Sequence, residues 1–161
     1  MMLFFLRHGQ AGHNFPTDFE RELTDEGKLA STNVGKFCAE MNIHFTQAFV
    51  SPLVRAKQTA KAVLKKLPEI KLIETEFLTP ESDPENLFEL LGAYSNDSKI
   101  LLVTHEPFVS SCISTLIGGT ETIHIVMKPA TIACVETNGS PVRGKGTLRW
   151  HITPQILDHL L

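Results

Sequence analysis

Two arginines and two histidines stand where they can act together on a compact anion. Each follows a short apolar segment: Arg7 and His8 come after the first, Arg55 soon after the second, and His105 after the third. Arginine presents forked N–H donors that match the oxygens of a phosphate group. Imidazole is a competent nucleophile near neutral pH, because its ordinary pKa is about 6.5. These residue types predict a phosphate site at which a histidine can also attack phosphorus.

Each of these residues also has an ordinary structural interpretation when it is taken alone. Arg7 can be a surface charge, His8 a hydrogen-bonded loop residue, Arg55 part of a solvated helix face, and His105 a helix cap. A carboxylate ligand would also suit a cationic site of this kind. The functional interpretation is favoured because all four residues lie at strand ends that we expect on the same side of one sheet.

The elements that must position these residues follow from the periodicity of apolar side chains. Apolar runs typical of buried strands, together with shorter strand candidates, cover residues 2–6, 47–50, 71–73, 100–103, 131–135 and 147–152. In the longer segments between these strands, apolar residues recur every three or four positions, as in a helix with one buried face. Thr24 and Asp83 are expected N-caps, and Ser51 is expected to cap a helix that begins at Pro52. Pro107 opens a further helix that we expect to end at Gly118 and Gly119.

The alternation of strands and helices predicts the fold class. Such alternation implies βαβ crossovers and a mostly parallel sheet with helices on both faces. We therefore expect an α/β fold, namely a three-layer α/β/α sandwich whose mostly parallel central sheet carries an antiparallel edge. The length of 161 residues favours one domain over residues 1–161. In open sheets of this type, ligands bind beyond the carboxyl ends of the strands.

Composition excludes several classes of protein. Lys and Arg number 15 against 18 Asp and Glu, a net charge of −3, which argues against the basic surface of a nucleic-acid-binding protein. The three cysteines, Cys38, Cys112 and Cys134, contain no CxxC pair, which argues against a disulfide framework or a metal site, and the helical apolar spacing around Cys38 and Cys112 predicts buried structural thiols. We expect no signal peptide, no membrane partner and a cytoplasmic location, because no apolar run approaches about 18 residues.

Several short motifs resemble those of one protein family. Arg7-His8-Gly9 at the end of the first strand resembles the RHG motif of the histidine phosphatase superfamily, which includes the phosphoglycerate mutases. In the same order as in that family follow LTDEG at 23–27, SPLVRAKQTA at 51–60 and VTHEP at 103–107. They are similar to LTxxG, SPxxRAxQTA and VxHxP. The compact length and the segment LRWHITP at 148–154 are similar to the short SixA-type phosphohistidine phosphatases of this superfamily.

The resemblance implies roles for individual residues. It implies that His8 is the phosphorylated nucleophile and that Arg7, Arg55 and His105 bind the phosphoryl oxygens, with His105 favoured in its cationic form by the bound anion. Asn14 stands where relatives often place an asparagine that contacts phosphate. The resemblance also implies a histidine-phosphatase-like fold. It is weakest over residues 70–96 and 118–145.

The general acid is the least determined element of the site. Larger relatives use a carboxylate after the third strand, where this chain offers Glu76, Glu81 and Asp83. Asp83 is expected to cap a helix and Glu76 can be a strand-end charge, so Glu81 is our choice. The SixA-type resemblance also allows that no acid is present. The P–N bond of phosphohistidine is labile, and imidazole is a better leaving group than an alkoxide.

The function expected from these observations is metal-independent hydrolysis of phosphohistidine on a protein, through a phosphohistidine intermediate on His8. The implied partners are phosphate ion and a phosphorylated protein, for which a histidine-containing phosphotransfer domain is one candidate. No cofactor is expected. Two alternatives stay open: a phosphatase of small phosphate esters, and a catalytically silent module that binds phosphate.

Overall fold

Six strands form a single sheet in the computed structural model, which describes residues 1–161. The strands are β1 (Met2–Arg7), β2 (Gln47–Val50), β3 (Leu72–Glu74), β4 (Lys99–Thr104), β5 (Ile132–Thr137) and β6 (Gly146–Ile152). All six lie within a few residues of the positions expected from apolar periodicity.

Five α-helices and one short 3₁₀ helix connect or follow these strands. They are α1 (Asp25–Glu40), α2 (Val54–Leu64), the 3₁₀ helix (Glu76–Leu78), α3 (Pro84–Leu91), α4 (Phe108–Gly118) and α5 (Pro154–Leu160). None of them combines the length and the apolar character needed to cross a membrane. The 3₁₀ helix and α5 have no counterpart in the expectations from sequence.

The sheet has the order β3-β2-β4-β1-β5-β6. The first four strands in this order pair in parallel, β1 with β4, β4 with β2, and β2 with β3. β5 runs antiparallel to β1 and forms an antiparallel pair with β6. The expected mostly parallel sheet with an antiparallel edge is therefore confirmed, and β1 lies between the two parts.

Two apolar cores, one on each face of the sheet, account for the three layers. Alternate residues of β1 point to opposite sides, so Leu3 and Phe5 join one core while Phe4 and Leu6 join the other. Helices α3 and α4 cover the first face, and α1, α2 and α5 cover the second. Cys38 and Cys112 are buried, as expected; Cys134 is buried as well, and all three thiols are unpaired.

Most helix boundaries follow the local signals in the sequence. The Thr24 hydroxyl accepts a hydrogen bond from the Gly27 N–H, and the Asp83 carboxylate accepts one from the Glu85 N–H, so both expected caps are confirmed. Gly119, with φ of 73°, ends α4. The expectation for Ser51 is wrong, because α2 begins at Val54 and the Ser51 side chain does not cap it. The Ser51 hydroxyl contacts His105 instead.

Candidate active site

The carboxyl ends of three adjacent strands bring the expected arginines and histidines together. Arg7 pairs with Thr104 at the ends of β1 and β4, and the His8 N–H donates to the Thr104 carbonyl at 2.9 Å. Past β2, the Ser51 N–H donates to the Val103 carbonyl at 3.1 Å. These backbone bonds continue the parallel ladder beyond the strands, so the residues that follow share one edge of the sheet.

His8 lies at the centre of this cluster with a defined orientation. Its Nδ1 is 2.7 Å from the Gly9 carbonyl oxygen, and because a carbonyl only accepts, Nδ1 carries the proton. Nε2 is then unprotonated, and it accepts a hydrogen bond of 3.2 Å from Nε of Arg55. The side chain is 8% exposed, and its burial, aided by the neighbouring arginines, lowers its pKa to about 4. His8 is therefore a neutral imidazole at neutral pH.

Gly9 and Thr59 hold the segment that carries His8. Helix α1 packs closely on Gly9, because a Cβ atom there would lie 2.6 Å from the Gly27 carbonyl oxygen. The Gly9 N–H donates to the Thr59 hydroxyl at 3.0 Å, and that hydroxyl donates to the Arg55 carbonyl at 2.8 Å. Thr59 therefore couples the His8 segment to the first turn of α2.

Arg55 is buried in the first turn of α2, where its guanidinium connects two parts of the site. Nε faces His8, while Nη1 donates to the backbone carbonyl of Asp18 at 2.6 Å and Nη2 to its carboxylate at 2.8 Å. Asp18 also receives a hydrogen bond from Arg21 at 2.9 Å. Partial burial raises the pKa of Asp18, but the hydrogen bonds and charges of the two arginines together lower it more. The Asp18 carboxylate is therefore ionised.

Arg7 reaches the site from the end of β1. Its Nη1 donates to the Met127 carbonyl oxygen at 2.7 Å, and its Nε is buried without a partner. Met127 lies in the loop before β5, which continues through Lys128 to Ala130. The Ala130 N–H donates to the carbonyl oxygens of both Arg7 and His8 at 3.1 Å. The loop before β5 therefore fixes the arginine and leaves some of its donors available.

His105 is the most enclosed member of the cluster, at 1% exposed. Its ring centroid lies 4.9 Å from that of His8, and its Nε2 is 2.7 Å from Oγ of Ser51. Its Nδ1 is buried and has no hydrogen-bond partner. Burial, and after it the neighbouring His8, lowers the pKa of His105 to about 2. The ring is thus neutral in the free protein, and only a bound anion can favour the cationic form expected from sequence.

The structure does not bring Asn14 and Glu81 into this cluster. Both are exposed, and neither makes a hydrogen bond or an ion pair with the four residues. Glu81 lines a groove beside Pro107 and Phe108. His13 is linked to the site only indirectly. Its Nδ1 is 3.4 Å from Arg21, which in turn donates to Asp18.

Sequence reasoning missed several groups that complete the site. Asp18 lies in the irregular segment between β1 and α1, where no pattern singles out one acidic residue from its neighbours. Met127 contributes its backbone carbonyl oxygen, and because every residue has such a group, the residue type gives no sign of this contact. Ser51 and Thr59 stand inside the motif at 51–60, so the resemblance could have pointed to them.

The arrangement suits a tetrahedral oxyanion next to a nucleophilic nitrogen. Arg55 contacts Nε2 of His8 directly, the charge of Arg7 also acts on His8, and the His105 ring lies 4.9 Å from the His8 ring between centroids. Fixed donors of this kind stabilise the charge on a phosphoryl group without having to reorganise during transfer. The site is therefore equipped for attack of a neutral imidazole on phosphorus.

Known proteins share both the sequence and the fold of this chain. A family model for the histidine phosphatase superfamily (branch 1) matches residues 3–79. Phosphohistidine phosphatase SixA of Escherichia coli (strain K12) is 30% identical over 158 residues, which cover 96% of this chain and 94% of that protein. A structure of the protein histidine phosphatase SixA complexed with tungstate superposes with a TM-score of 0.89 at 28% identity, covering 98% of this chain and 99% of that one.

A mutase shares more distant similarity. The 2,3-bisphosphoglycerate-dependent phosphoglycerate mutase of Bartonella bacilliformis is 27% identical over 166 residues, covering 96% of this chain but 70% of the mutase. The SixA matches cover both proteins almost completely, whereas the mutase has additional length. The chain therefore belongs to the histidine phosphatase superfamily, in its SixA-type branch, and is a phosphatase.

Proposed function

We propose that this chain removes the phosphoryl group from phosphohistidine on a protein, with His8 as the covalent nucleophile. The observation that carries the proposal is the state of His8. Its Nδ1 proton is held by the Gly9 carbonyl at 2.7 Å, which leaves the lone pair of Nε2 free of a proton and directed into the site. Its lowered pKa, about 4, keeps this nitrogen nucleophilic at neutral pH.

The proposed reaction has two steps that balance without a cofactor. Nε2 of His8 forms a bond to phosphorus while the P–N bond of the substrate breaks, and the departing imidazole takes up one proton from solvent, which the hydrolysis step later returns. Water then attacks the phosphorus of phosphorylated His8, which releases inorganic phosphate and restores the free histidine. The Nε–H of Arg55, which contacts Nε2 in the free protein, turns to a phosphoryl oxygen as the bond forms.

Arg7, Arg55 and His105 are the proposed phosphate ligands. The unpartnered Nε of Arg7 and Nδ1 of His105 are buried donors for which phosphoryl oxygens would provide acceptors. Asn14 and Glu81 are weaker candidates, because both side chains are exposed and make no contact with the other four residues. A leaving imidazole needs little help from an acid, so the reaction does not depend on Glu81.

The surroundings of the site support a protein substrate over a small metabolite. Large apolar side chains are exposed on the two loops that contact the arginines: Phe19, at 50%, follows Asp18, and Val126, at 67%, precedes Met127. Exposed apolar patches mark sites of protein–protein interaction, and we propose that these two side chains contact the substrate protein. The tungstate in the related SixA structure, a tetrahedral oxyanion, also supports phosphoryl binding in this branch.

The test compares two classes of substrate. We expect hydrolysis of a protein phosphorylated on histidine with a kcat/KM well above that for sugar phosphates. We also expect brief exposure to the phosphoprotein to leave acid-labile phosphate on the enzyme. His8→Ala should abolish this label and lower the rate by about a thousandfold or more. His44→Ala is the matched control, because His44 is an exposed histidine before β2, away from the site.

Each contrary result has a defined meaning. Equal labelling of wild type and His8→Ala would overturn the mechanism. Preference for sugar phosphates would favour the small-ester alternative and overturn the proposed substrate. Phosphate binding without hydrolysis of either class would favour the silent binding module.

A further inference from the structure

Ser51 occupies an unusual position beside His105. It was expected to cap a helix, yet its hydroxyl oxygen lies 2.7 Å from Nε2 of His105, across 54 positions of sequence. Ser51 is fully buried and His105 nearly so. The contact between Ser51 and His105 therefore lies inside the protein, shielded from solvent.

The other contact of this hydroxyl determines where its hydrogen goes. The Leu53 N–H donates to Oγ of Ser51 at 3.4 Å, and the hydroxyl makes no hydrogen bond other than this one and the one with His105. If Nε2 of His105 carried the proton, the hydroxyl hydrogen of Ser51 would be buried without a partner, in addition to Nδ1 of His105. If Ser51 donates to Nε2 instead, only the Nδ1 proton is unpartnered. The second arrangement leaves fewer buried polar groups unsatisfied.

We propose that Ser51 is a positioning residue that holds His105 in the tautomer with its proton on Nδ1, so that this N–H donates to the bound phosphoryl group. The tautomer of a histidine is commonly set by the hydrogen bond that its second nitrogen makes. A phosphoryl oxygen then provides the acceptor that the buried Nδ1–H lacks in the free protein. The part of the inference that concerns substrate depends on the proposed function, whereas the tautomer does not.

The structure implies a division of labour between the two histidines. His8 keeps its proton on Nδ1 through the Gly9 carbonyl and presents an unprotonated Nε2, which is a nucleophile. His105 also keeps its proton on Nδ1, but through a hydroxyl that donates to Nε2, and presents the N–H, which is a donor. Two neutral imidazoles 4.9 Å apart would thus supply opposite hydrogen-bonding groups to one ligand.

The test reads the tautomers directly by ¹⁵N NMR of the histidine side chains in wild type, Ser51→Ala and Ser51→Thr. We expect His105 of the wild type to be protonated on Nδ1, and Ser51→Ala to shift it towards protonation on Nε2 while the signals of His8 stay unchanged. Ser51→Thr keeps a hydroxyl and should keep the wild-type tautomer. Ser114→Ala is the matched control, because the Ser114 hydroxyl is buried in α4 and donates to Thr120 outside the site.

Binding of inorganic phosphate, measured by calorimetry, is the second readout. Loss of a correctly placed donor to an anion should weaken phosphate binding by Ser51→Ala roughly ten- to a hundredfold, with recovery in Ser51→Thr. The NMR spectra also establish that each variant is folded.

The outcomes separate this inference from the proposed function. A wild-type His105 protonated on Nε2, or a Ser51→Ala variant with unchanged tautomer and phosphate affinity, overturns the role of Ser51 even if the enzyme forms a phosphohistidine. A Ser51-dependent tautomer and phosphate affinity in a protein that hydrolyses nothing would uphold the positioning role, and only the proposed function would fail.

Discussion

Asp18 is the carboxylate that contacts the arginine–histidine cluster. Its negative charge repels the phosphate anion that we expect to bind there. It lies 2.8 Å from Nη2 of Arg55 and also pairs with Arg21. Because these contacts keep it ionised, Asp18 is poorly suited to donate a proton. Its contacts orient Arg55 and place a negative charge close to the proposed phosphate site.

The first prediction concerns this charge. Asp18→Asn retains an oxygen acceptor for Arg55 but removes the negative charge, so we expect inorganic phosphate to bind roughly three- to tenfold more tightly at low ionic strength. The gain should shrink in high salt, because the Asp18 side chain is largely exposed. Calorimetric titration with phosphate at two ionic strengths measures both effects.

A matched control uses another aspartate. Asp25→Asn removes an exposed carboxylate at the start of α1 that pairs with Lys28 and makes no contact with Arg55. It should leave phosphate affinity close to wild type. Unchanged or weaker binding by Asp18→Asn would mean that the carboxylate positions Arg55 in a way that an amide cannot replace.

At the scale of elements, the position of His8 depends on how closely the loop after β1 approaches α1. Gly9 follows His8, and Gly27 lies in the first turn of α1. A Cβ at Gly9 would lie 2.6 Å from the Gly27 carbonyl and 2.8 Å from Oγ of Ser31, and a Cβ at Gly27 would overlap the backbone of Gln10. The two glycines thus let the helix pack directly on the loop that carries His8, the proposed nucleophile.

The second prediction follows from this packing. Gly9→Ala should lower the free energy of unfolding by about 1–3 kcal/mol, since its methyl group meets backbone atoms that cannot move aside easily. It should also reduce activity, because relief of the clash displaces His8. Gly12→Ala is the control: there the nearest atoms belong to the flexible, exposed Phe15 ring, and the cost should be below about 0.5 kcal/mol. Urea unfolding of the three proteins distinguishes these outcomes, and equal stabilities would contradict the prediction.

At the scale of the whole molecule, the fold keeps two neutral histidines among arginines. The net charge of −3 gives no sign of this, because acidic side chains elsewhere outweigh a small cationic site. The cysteines show the same influence of the core, since burial raises the pKa of both Cys38 and Cys134 to about 12. These thiols are therefore uncharged at neutral pH and pack as small apolar side chains.

The third prediction concerns stability in mild acid. The pKa of His8 is lowered to about 4 and that of His105 to about 2, so neither binds a proton in the folded protein as the pH falls below 6.5, whereas both do in the unfolded chain. The unfolded state then binds more protons, and the free energy of unfolding must fall with decreasing pH from about 6.5 to 4. Each histidine contributes up to about 1.4 kcal/mol per pH unit in that range.

Urea unfolding at pH 7.5, 6 and 5 measures this dependence. The comparison with His8→Gln isolates one group, because the variant should lose the share of the slope that His8 contributes. A free energy of unfolding that is constant from pH 6.5 to 5, or an unchanged slope in His8→Gln, would contradict the assignment of a low pKa to His8.

Much of the fold and the centre of the site could be predicted from the sequence, because they depend on local signals. Apolar runs placed all six strands, and the side-chain caps Thr24 and Asp83 placed two helix starts. Since parallel strands align their carboxyl ends, the positions of Arg7, His8, Arg55 and His105 in the chain were sufficient to predict that they meet. The structure brings these four residues together as expected.

Only the tertiary structure decided which groups surround that centre. The contacts of Asp18 with Arg55, of Met127 with Arg7 and of Ser51 with His105 span 37, 120 and 54 positions of sequence. Such contacts depend on how loops lie over the sheet edge, and they leave no periodic pattern. The same holds for the neutral state of the two histidines, because burial and neighbouring charges arise only when distant segments pack together. The sequence by itself determined the framework and the positions of the four residues proposed to react, and tertiary packing decided their protonation and orientation.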